Sequence, residues 1–117
     1  QVEAAIAELY PHSEILIADP GDAGAIPATR SGNVAITTAA AETRTLAIPA
    51  VQGITLAISC DVYAVGDAVI TVAAAINQAG NTVITLNTAG DTVVLIAVQV
   101  AGALVWRVLV NDGAALS

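Results

Sequence analysis

Period-two patterning of Val, Ile and Thr dominates the chain from residue 33 onward. Seven apolar runs follow one another, most of them separated by glycine-containing turns, and they read VAITTA, TRTLAI, ITLAISCDVYA, AVITVAAAI, TVITL, TVVLIAVQV and ALVWRVLV. Short strands at spacings of about 8–12 residues, with turn signals between them, are typical of an all-β sandwich or barrel. The pattern therefore predicts an antiparallel β-sandwich or barrel-like domain over residues 33–117.

One phrase, Asn-x-Ala-Gly-(Asn/Asp)-Thr-Val-(Ile/Val), opens at Asn77 and again at Asn87. Because the interval is an even number of residues, both copies return their side chains to the same faces of a pleated strand. Two copies are too few for a solenoid, which needs roughly three or more repeats. The phrase predicts two neighbouring hairpins of a meander, which turn at residues 79–81 and 89–91.

The last two runs predict a long hairpin that turns at Ala101-Gly102. The first of these runs is apolar on both faces, apart from Gln99. A sheet with one solvated face alternates apolar and polar residues, and this hairpin does not. We therefore expect both faces to be covered, one by the second sheet and the other by a neighbouring subunit.

Residues 1–32 differ from the rest, because they hold three of the four prolines and five of the ten acidic residues. The string VEAAIAELY places Val2, Ile6 and Leu9 at helical spacing, which predicts a short amphipathic helix within residues 2–10. Further along, the string DPGD at residues 19–22 is a turn signal, since proline presets φ and glycine supplies a positive φ. Such a segment cannot form its own core, so we predict an extended N-terminal arm over residues 1–32 that lies against a neighbour.

Charged residues make up 11% of the chain, which is about half of the usual share. A solvated monomer of this size carries more charge on its surface. We therefore expect much of the surface to contact other protein and the chain to form a homo-oligomer, with a homotrimer favoured.

The formal net charge of −7 and the absence of lysine argue against binding to nucleic acid, because phosphate binding needs clustered cations. The uncharged run over residues 68–90 is long enough for a membrane span, but Asn77, Gln78 and several threonines interrupt it. The sequence therefore predicts neither a nucleic-acid partner nor a membrane partner.

The residues that usually carry chemistry are isolated from one another. His12 is the single histidine, and the sequence supplies neither a positioned partner nor a nucleophile for it. Cys60 is the single cysteine; it lies in the apolar string LAISCDV and is predicted to be a buried thiol. Asp19 and Asp22 have an alternative interpretation as calcium ligands, although the spacing of an EF-hand loop is absent. The sequence predicts no catalytic residue, no cofactor and no metal site.

Three larger side chains on the predicted strands have two interpretations each. Arg44 and Arg107 are isolated cations, and each is expected to pair with a carboxylate, either within the chain or across an interface. Trp106 is predicted to be a core residue, with an interface anchor as the alternative.

Four strings carry a family resemblance: ADPGDAGAIPATRSG (18–32), AETRTLAIP (41–49), INQAGNTVITL (76–86) and GALVWRVLVNDGAALS (102–117). Together they resemble small virion proteins of tailed bacteriophages, including marine and freshwater phages, some of which are head decoration (cement) proteins. The similarity covers most of the chain after about residue 14. The relatives tend to carry a polar residue before the Trp-Arg pair, where this chain has Val105.

The resemblance implies a β-rich homotrimer on the outer surface of the capsid, where it binds between major capsid subunits and stabilises the head against internal DNA pressure. On this interpretation the N-terminal arm docks outside its own β-domain, on a sister subunit or on the capsid shell. The candidate interface residues are Ile6, Leu9, Ile15, Ile17, Arg44, Val105, Trp106 and Arg107.

Two other classes of protein remain compatible with the composition. A tail-fibre or adhesin module that binds a receptor or a carbohydrate would also be β-rich and oligomeric. It would present exposed aromatic side chains, for which Tyr10, Tyr63 and Trp106 are available. A hydrolytic enzyme is the least favoured class, because the sequence lacks a His/Asp/Ser constellation.

Overall fold

The structure, a computed structural model, describes residues 16–117, and within this range the chain forms β-strands and no helix. The all-β prediction is therefore confirmed. The strands are β1 (Leu16–Ile17), β2 (Gly24–Ile26), β3 (Gly32–Thr38), β4 (Glu42–Leu46), β5 (Thr55–Tyr63), β6 (Ala68–Val72), β7 (Val83–Leu86), β8 (Thr92–Val100), β9 (Ala103–Asp112) and β10 (Ala115–Leu116).

These strands form two five-stranded sheets that pack face to face as a sandwich. Sheet A has the order β1-β3-β5-β8-β9, and sheet B has the order β10-β7-β6-β4-β2. Each sheet turns one face inward, and the alternation of buried and exposed residues along β3 (NVAITT after Gly32) shows why the sequence predicts a half-buried strand there.

The first six strands alternate between the two sheets. In sheet A, β1 pairs parallel with β3 and β3 pairs parallel with β5, while in sheet B, β2 pairs parallel with β4 and β4 with β6. The prediction of purely antiparallel pairing is therefore wrong for this half of the domain, and the sheets are mixed. Successive strands of one sheet therefore run in the same direction and are connected through a strand of the other sheet. The chain winds in coils from β1 to β6, although no sequence repeat marks these coils.

The remaining strands pair antiparallel, and β8 and β9 form the predicted hairpin. Val100 pairs with Ala103 across the turn, where Ala101 has a φ of 51° and Gly102 a φ of 84°. Positive φ at both central residues is the geometry of a type I′ turn, which follows the natural twist of the two strands.

The repeated phrase forms two similar turns that connect different pairs of strands. At its first copy the backbone N–H of Asn81 donates to Asn77 Oδ1 at 3.0 Å, and at its second the N–H of Asn87 donates to Asp91 Oδ2 at 2.9 Å. The first turn lies between the antiparallel neighbours β6 and β7, whereas the second carries the chain from β7 in sheet B to β8 in sheet A. The predicted meander is therefore wrong, because a turn sequence reverses the chain without specifying which sheet the next strand joins.

The core lies between the two sheets and consists mainly of isoleucine, leucine and valine side chains. Burying each of these large apolar side chains stabilises the fold by about 1.5–3 kcal/mol relative to exposure. Trp106 is 1% exposed, and its indole Nε1–H donates to the carbonyl oxygen of Ala47 at 2.9 Å. The core-residue interpretation of Trp106 is confirmed.

The domain includes part of the segment that the sequence predicted as an arm. Ile17 in β1 and Ile26 in β2 are both buried in the core, and both strands belong to the sheets. The β-domain therefore begins before the predicted boundary at residues 32 and 33, because residues 16–32 contribute two strands to its sheets. The predicted helix within residues 2–10 lies outside the described residues.

Candidate interaction surfaces

One buried cation joins three segments of the sandwich. Arg44 in β4 is 1% exposed. Its Nε lies 2.8 Å from Asp19 Oδ1 and its Nη2 lies 3.0 Å from Asp19 Oδ2, while its Nη1 lies 2.9 Å from Glu42 Oε1. The backbone N–H of Thr37, at the end of β3, donates to Asp19 Oδ2 at 3.0 Å. The cluster therefore holds the loop between β1 and β2 against β3 and β4.

The electrostatics of this cluster favour its charged form. Partial burial acts to raise the pKa of Asp19, but hydrogen bonds from Arg44 and from the N–H groups of Thr37 and Gly21 outweigh it and lower this pKa below its ordinary value. The pKa of Glu42 is lowered by the N–H of Ala39 and then by Arg44. Both carboxylates are therefore ionised at neutral pH, and the expected pairing of Arg44 with a carboxylate is confirmed within the chain.

The two aspartates with an alternative interpretation as calcium ligands accept hydrogen bonds from the protein itself. Asp19 binds Arg44, and Asp22 Oδ1 accepts from the backbone N–H of Thr43 at 2.9 Å. Among residues 16–117 no group of three or more His, Cys, Asp or Glu side chains is placed to hold a metal ion. The geometry therefore assigns these aspartates to turn formation and ion pairing.

Cys60 lies in the core at 2% exposure, so the prediction of a buried thiol is confirmed. Burial raises the pKa of this thiol, and the carboxylates of Asp91 and Asp61 raise it further. A thiol with a raised pKa is a poor nucleophile at neutral pH. His12 lies outside the described residues.

The strand directions divide the sandwich into two ends that differ in charge. β3 and β5 finish at the end where β4, β6 and β8 begin. All of the acidic residues in the described part of the chain lie at this end, which we call the acidic end. They are Asp19, Asp22, Glu42, Asp61, Asp67, Asp91 and Asp112.

The opposite end, which we call the apolar end, is formed by loops 27–31, 47–54 and 73–82 and the turn at 101–102. These loops contain no acidic residue, and Arg30 is their one charged residue. Large hydrophobic side chains are exposed at both ends: Leu16 (62%), Ile48 (53%), Val51 (52%) and Val100 (38%) here, and Val62 (46%), Tyr63 (36%) and Val65 (76%) at the acidic end. The two ends therefore differ in charge and not in the exposure of hydrophobic side chains. The difference in charge between the two ends cannot be read from the sequence, because it depends on the directions of the strands.

The outer faces of both sheets are also poor in charge. On sheet A, Val94 pairs with Val110 and Val98 with Val105, which places an apolar strip along β8 and β9. Arg107 interrupts this strip, and its Nη1 donates to the carbonyl oxygen of Ala75 rather than to a carboxylate. On sheet B the outward positions of the strands carry no charge in the described chain; they are Ala25, Thr43, Thr45, Val69, Thr71, Val83, Thr85 and Ala115.

The residues predicted to form an interface fall into three groups. Ile17, Arg44 and Trp106 are buried within the domain, which corrects the prediction that these side chains meet a partner. Val105 and Arg107 are half-buried on the outer face of sheet A. Ile6, Leu9 and Ile15 lie outside the described residues.

The sequence prediction missed Ile48 and Val51, which the structure exposes in loop 47–54. A signal was present, because both are β-branched residues in the string AIPAVQG, whose Pro49 and Gly53 argue against a continuous strand. An apolar side chain in a loop has no inward strand face to occupy, so it is a candidate surface contact.

Comparisons with known proteins do not extend this description. A scan against protein-family models, a search of the curated proteins and a search of the solved structures all return no match. The part of the chain that the structure describes contains no helix with the length and hydropathy needed to cross a membrane, and no pocket is found on its surface.

Proposed function

We propose that this chain is a structural virion protein that decorates the outer surface of a tailed-phage capsid as a homotrimer and binds between major capsid subunits. The observation that carries the proposal is the apolar strip along β8 and β9 on the outer face of sheet A, where Val94, Val98 and Val105 are half-buried and Val110 is 52% exposed. The sequence resemblance to phage head decoration proteins supports the same role.

Self-association through this strip accounts for its composition. Val110 is 52% exposed and the neighbouring Leu109 is 58% exposed, although both lie on a strand rather than in a loop. Leu109 is the extra residue at a bulge opposite Val94, where the ladder shifts register. Flat apolar strips of this kind pack against copies of themselves, because the contact buries hydrocarbon on both partners without stranding a charge.

A pair of matched substitutions tests the self-association. Val105→Asp places a carboxylate on the outer face of sheet A, and Val69→Asp places one at a half-buried outward position on sheet B. We expect the wild type and Val69→Asp to remain trimers in light scattering, and Val105→Asp to dissociate into folded monomers. A stable wild-type monomer at micromolar concentration would contradict the proposal.

Decoration itself is tested by mixing the purified protein with phage heads that lack it, followed by sedimentation and electron microscopy. The expected result is binding at regular positions between major capsid subunits, together with greater resistance of the heads to heat. Binding of the protein to the phage tail instead of the head would support the alternative class, a tail-fibre or adhesin module.

The described residues offer that alternative little support. Trp106 is buried, which leaves Tyr63 as the one exposed aromatic side chain among residues 16–117; its hydroxyl donates to Asp67 Oδ1 at 3.0 Å. The proposed role is also non-enzymatic, which agrees with the burial of Cys60 and with the engagement of Asp19 by Arg44.

A further inference from the structure

We infer that Asp112 is a site of spontaneous covalent modification, at which the aspartyl residue rearranges to isoaspartate through a cyclic imide formed with Gly113. The reaction uses only groups of this chain and water, so it needs no enzyme and no partner. The modification is independent of the proposed function.

The rearrangement has two steps. In the first, the backbone nitrogen of Gly113 attacks Cγ of Asp112. A C–N bond forms, one C–O bond of the carboxyl group breaks, and its oxygen leaves as water with the amide hydrogen and the carboxyl proton. In the second, water opens the imide at one of its two carbonyl groups. Opening at the side-chain carbonyl restores aspartate, whereas opening at the main-chain carbonyl gives isoaspartate, in which the main chain runs through Cβ and Cγ.

The residue after an aspartate decides how easily the backbone nitrogen reaches Cγ, because a side chain at that residue obstructs the approach. Gly113 has no side chain and is exposed. Asp112 is the one aspartate of this sequence that precedes a glycine. A proline in the following position has no N–H to lose, and a β-branched residue there crowds the backbone. The other aspartates lie in the pairs Asp19-Pro20, Asp22-Ala23, Asp61-Val62, Asp67-Ala68 and Asp91-Thr92.

The carboxylate of Asp112 is also free to turn toward Gly113. It is exposed, and among residues 16–117 no hydrogen bond or ion pair engages it. A carboxylate that accepts hydrogen bonds must give them up before it can react, which costs free energy. Four other aspartates are engaged in this way, namely Asp19 by Arg44, Asp22 by the N–H of Thr43, Asp67 by the hydroxyl of Tyr63, and Asp91 by the N–H groups of Asn87 and Thr88.

Asp61 shares this freedom but not the neighbouring glycine. It is exposed, yet it lies within β5 and Val62 follows it. Asp112 is instead the last residue of β9, and residues 113–114 carry the chain from sheet A to β10 in sheet B. Attack on Cγ requires the backbone of Asp112 to rotate out of the strand, and strand ends and connections open at a lower free energy than the core does. Exposure, a free carboxylate and a following glycine therefore coincide at Asp112 alone.

Isoaspartate at this position adds one carbon to the main chain between β9 and β10. The path between these strands is fixed by Asn111, whose Nδ2 donates to the carbonyl oxygen of Ala114 at 3.0 Å and whose Oδ1 accepts from the N–H of Ala114 at 3.1 Å. Beyond them, the carbonyl oxygen of Ser117 accepts from the N–H groups of Thr82 and Val83, both at 2.9 Å. A longer path displaces Ala114 from Asn111, and we expect β10 to separate from β7.

The experiment follows the native protein during several weeks of incubation at neutral pH. Peptides from each time point are mapped by electron-transfer fragmentation, which distinguishes isoaspartate from aspartate. We expect isoaspartate to accumulate at Asp112 about tenfold or more faster than at Asp22 or Asp67, the internal controls, because their carboxylates must first lose a charged hydrogen bond. The variant Asp112→Glu keeps the charge and should form no such product at this position, since its side chain would have to close a larger ring.

A rate at Asp112 equal to the rate at Asp22, or no isoaspartate at Asp112 in the native protein, overturns the inference. Its structural consequence is measured by amide hydrogen exchange at Thr82 and Val83. Exchange should be severalfold faster in the aged protein than in fresh protein or in equally aged Asp112→Glu. Unchanged exchange in molecules that carry isoaspartate would overturn the displacement of β10. Neither measurement involves phage heads, so the proposed function is tested separately.

Discussion

The guanidinium of Arg44 contacts the carboxylate of Asp19 at two points, with 2.8 Å between Nε and Oδ1 and 3.0 Å between Nη2 and Oδ2. The two residues lie 25 positions apart in the sequence. Paired planar groups of this kind give a charge-assisted contact with defined geometry. This contact fixes the loop that follows β1 onto β4, and so it joins the two sheets near the acidic end.

Replacement of Arg44 tests how much the cluster contributes to stability. In Arg44→Met the carboxylates of Asp19 and Glu42 lose their cation while Asp19 remains partly buried, and we expect a loss of about 3 kcal/mol in the free energy of unfolding. Thr45→Met is the matched control, because it places the same side chain at the next position of β4, on the exposed outer face. Its effect should stay within about 0.5 kcal/mol. Urea denaturation of both variants is the measurement, and equal stabilities would contradict the assignment.

The same cluster predicts how stability depends on pH. The pKa of Asp19 is lower in the folded chain than its ordinary value, so the unfolded chain takes up a proton first as the pH falls. The stabilisation is therefore fully present above the ordinary value of about 3.9 and is lost as the pH falls below it. Denaturation curves between pH 6 and about pH 2 should show this loss. The variant Asp19→Asn should start from a lower stability and show a shallower decline over the same range.

The burial of Cys60 predicts slow reaction with a thiol reagent. Because the side chain is 2% exposed and its pKa is raised by burial and then by Asp91 and Asp61, reaction requires opening of the sheets. We expect labelling of the native protein to be at least about a hundredfold slower than labelling in denaturant. The double variant Cys60→Ala with Val65→Cys supplies the control, since its thiol is exposed and should react at once. Rapid labelling of native Cys60 would show that this part of the core is open.

Two glycines with the same backbone conformation allow the cost of backbone strain to be measured separately from the cost of a steric clash. Gly53 and Gly113 both have a φ of 91°, where an L side chain is strained. A Cβ at Gly53 would meet open space, whereas one at Gly113 would meet Oδ1 of Asp91. Gly53→Ala should cost about 1–2 kcal/mol, which is the strain alone. Gly113→Ala should cost more, because the carboxylate of Asp91 is also held by the N–H groups of Asn87 and Thr88. Thermal unfolding of the two variants measures the difference.

The parts of the fold that the sequence predicts are those set by local patterns. Alternation identifies β3, and the two apolar runs around Ala101-Gly102 identify the β8–β9 hairpin, because a strand face and a tight turn are both local features. The parallel pairing of Ile17 with Val34 has no such signal, since the intervening residues form turns that would suit several topologies equally.

The same limit applies to the interaction surfaces. Nothing local to Asp19 or Arg44 indicates that they meet, because their contact depends on how three strands are arranged. The separation of charge between the two ends likewise depends on strand direction, so residues as distant as Asp22 and Asp112 share an end that composition alone does not indicate.

The alternating path of β1 to β6 has a consequence for the order of folding. Each parallel pairing closes a long loop before it gains a contact, which is slow, whereas β8 and β9 need only a two-residue turn. The hairpin can form in about 1–10 μs, and we expect the complete domain to refold in milliseconds to seconds by stopped-flow fluorescence of Trp106. During synthesis the order is the reverse, because β8 and β9 leave the ribosome after the earlier strands of both sheets. The growing chain therefore carries the earlier apolar strands without the β8–β9 hairpin until both of its strands have been made, and this interval is the step at which the domain is most open to aggregation.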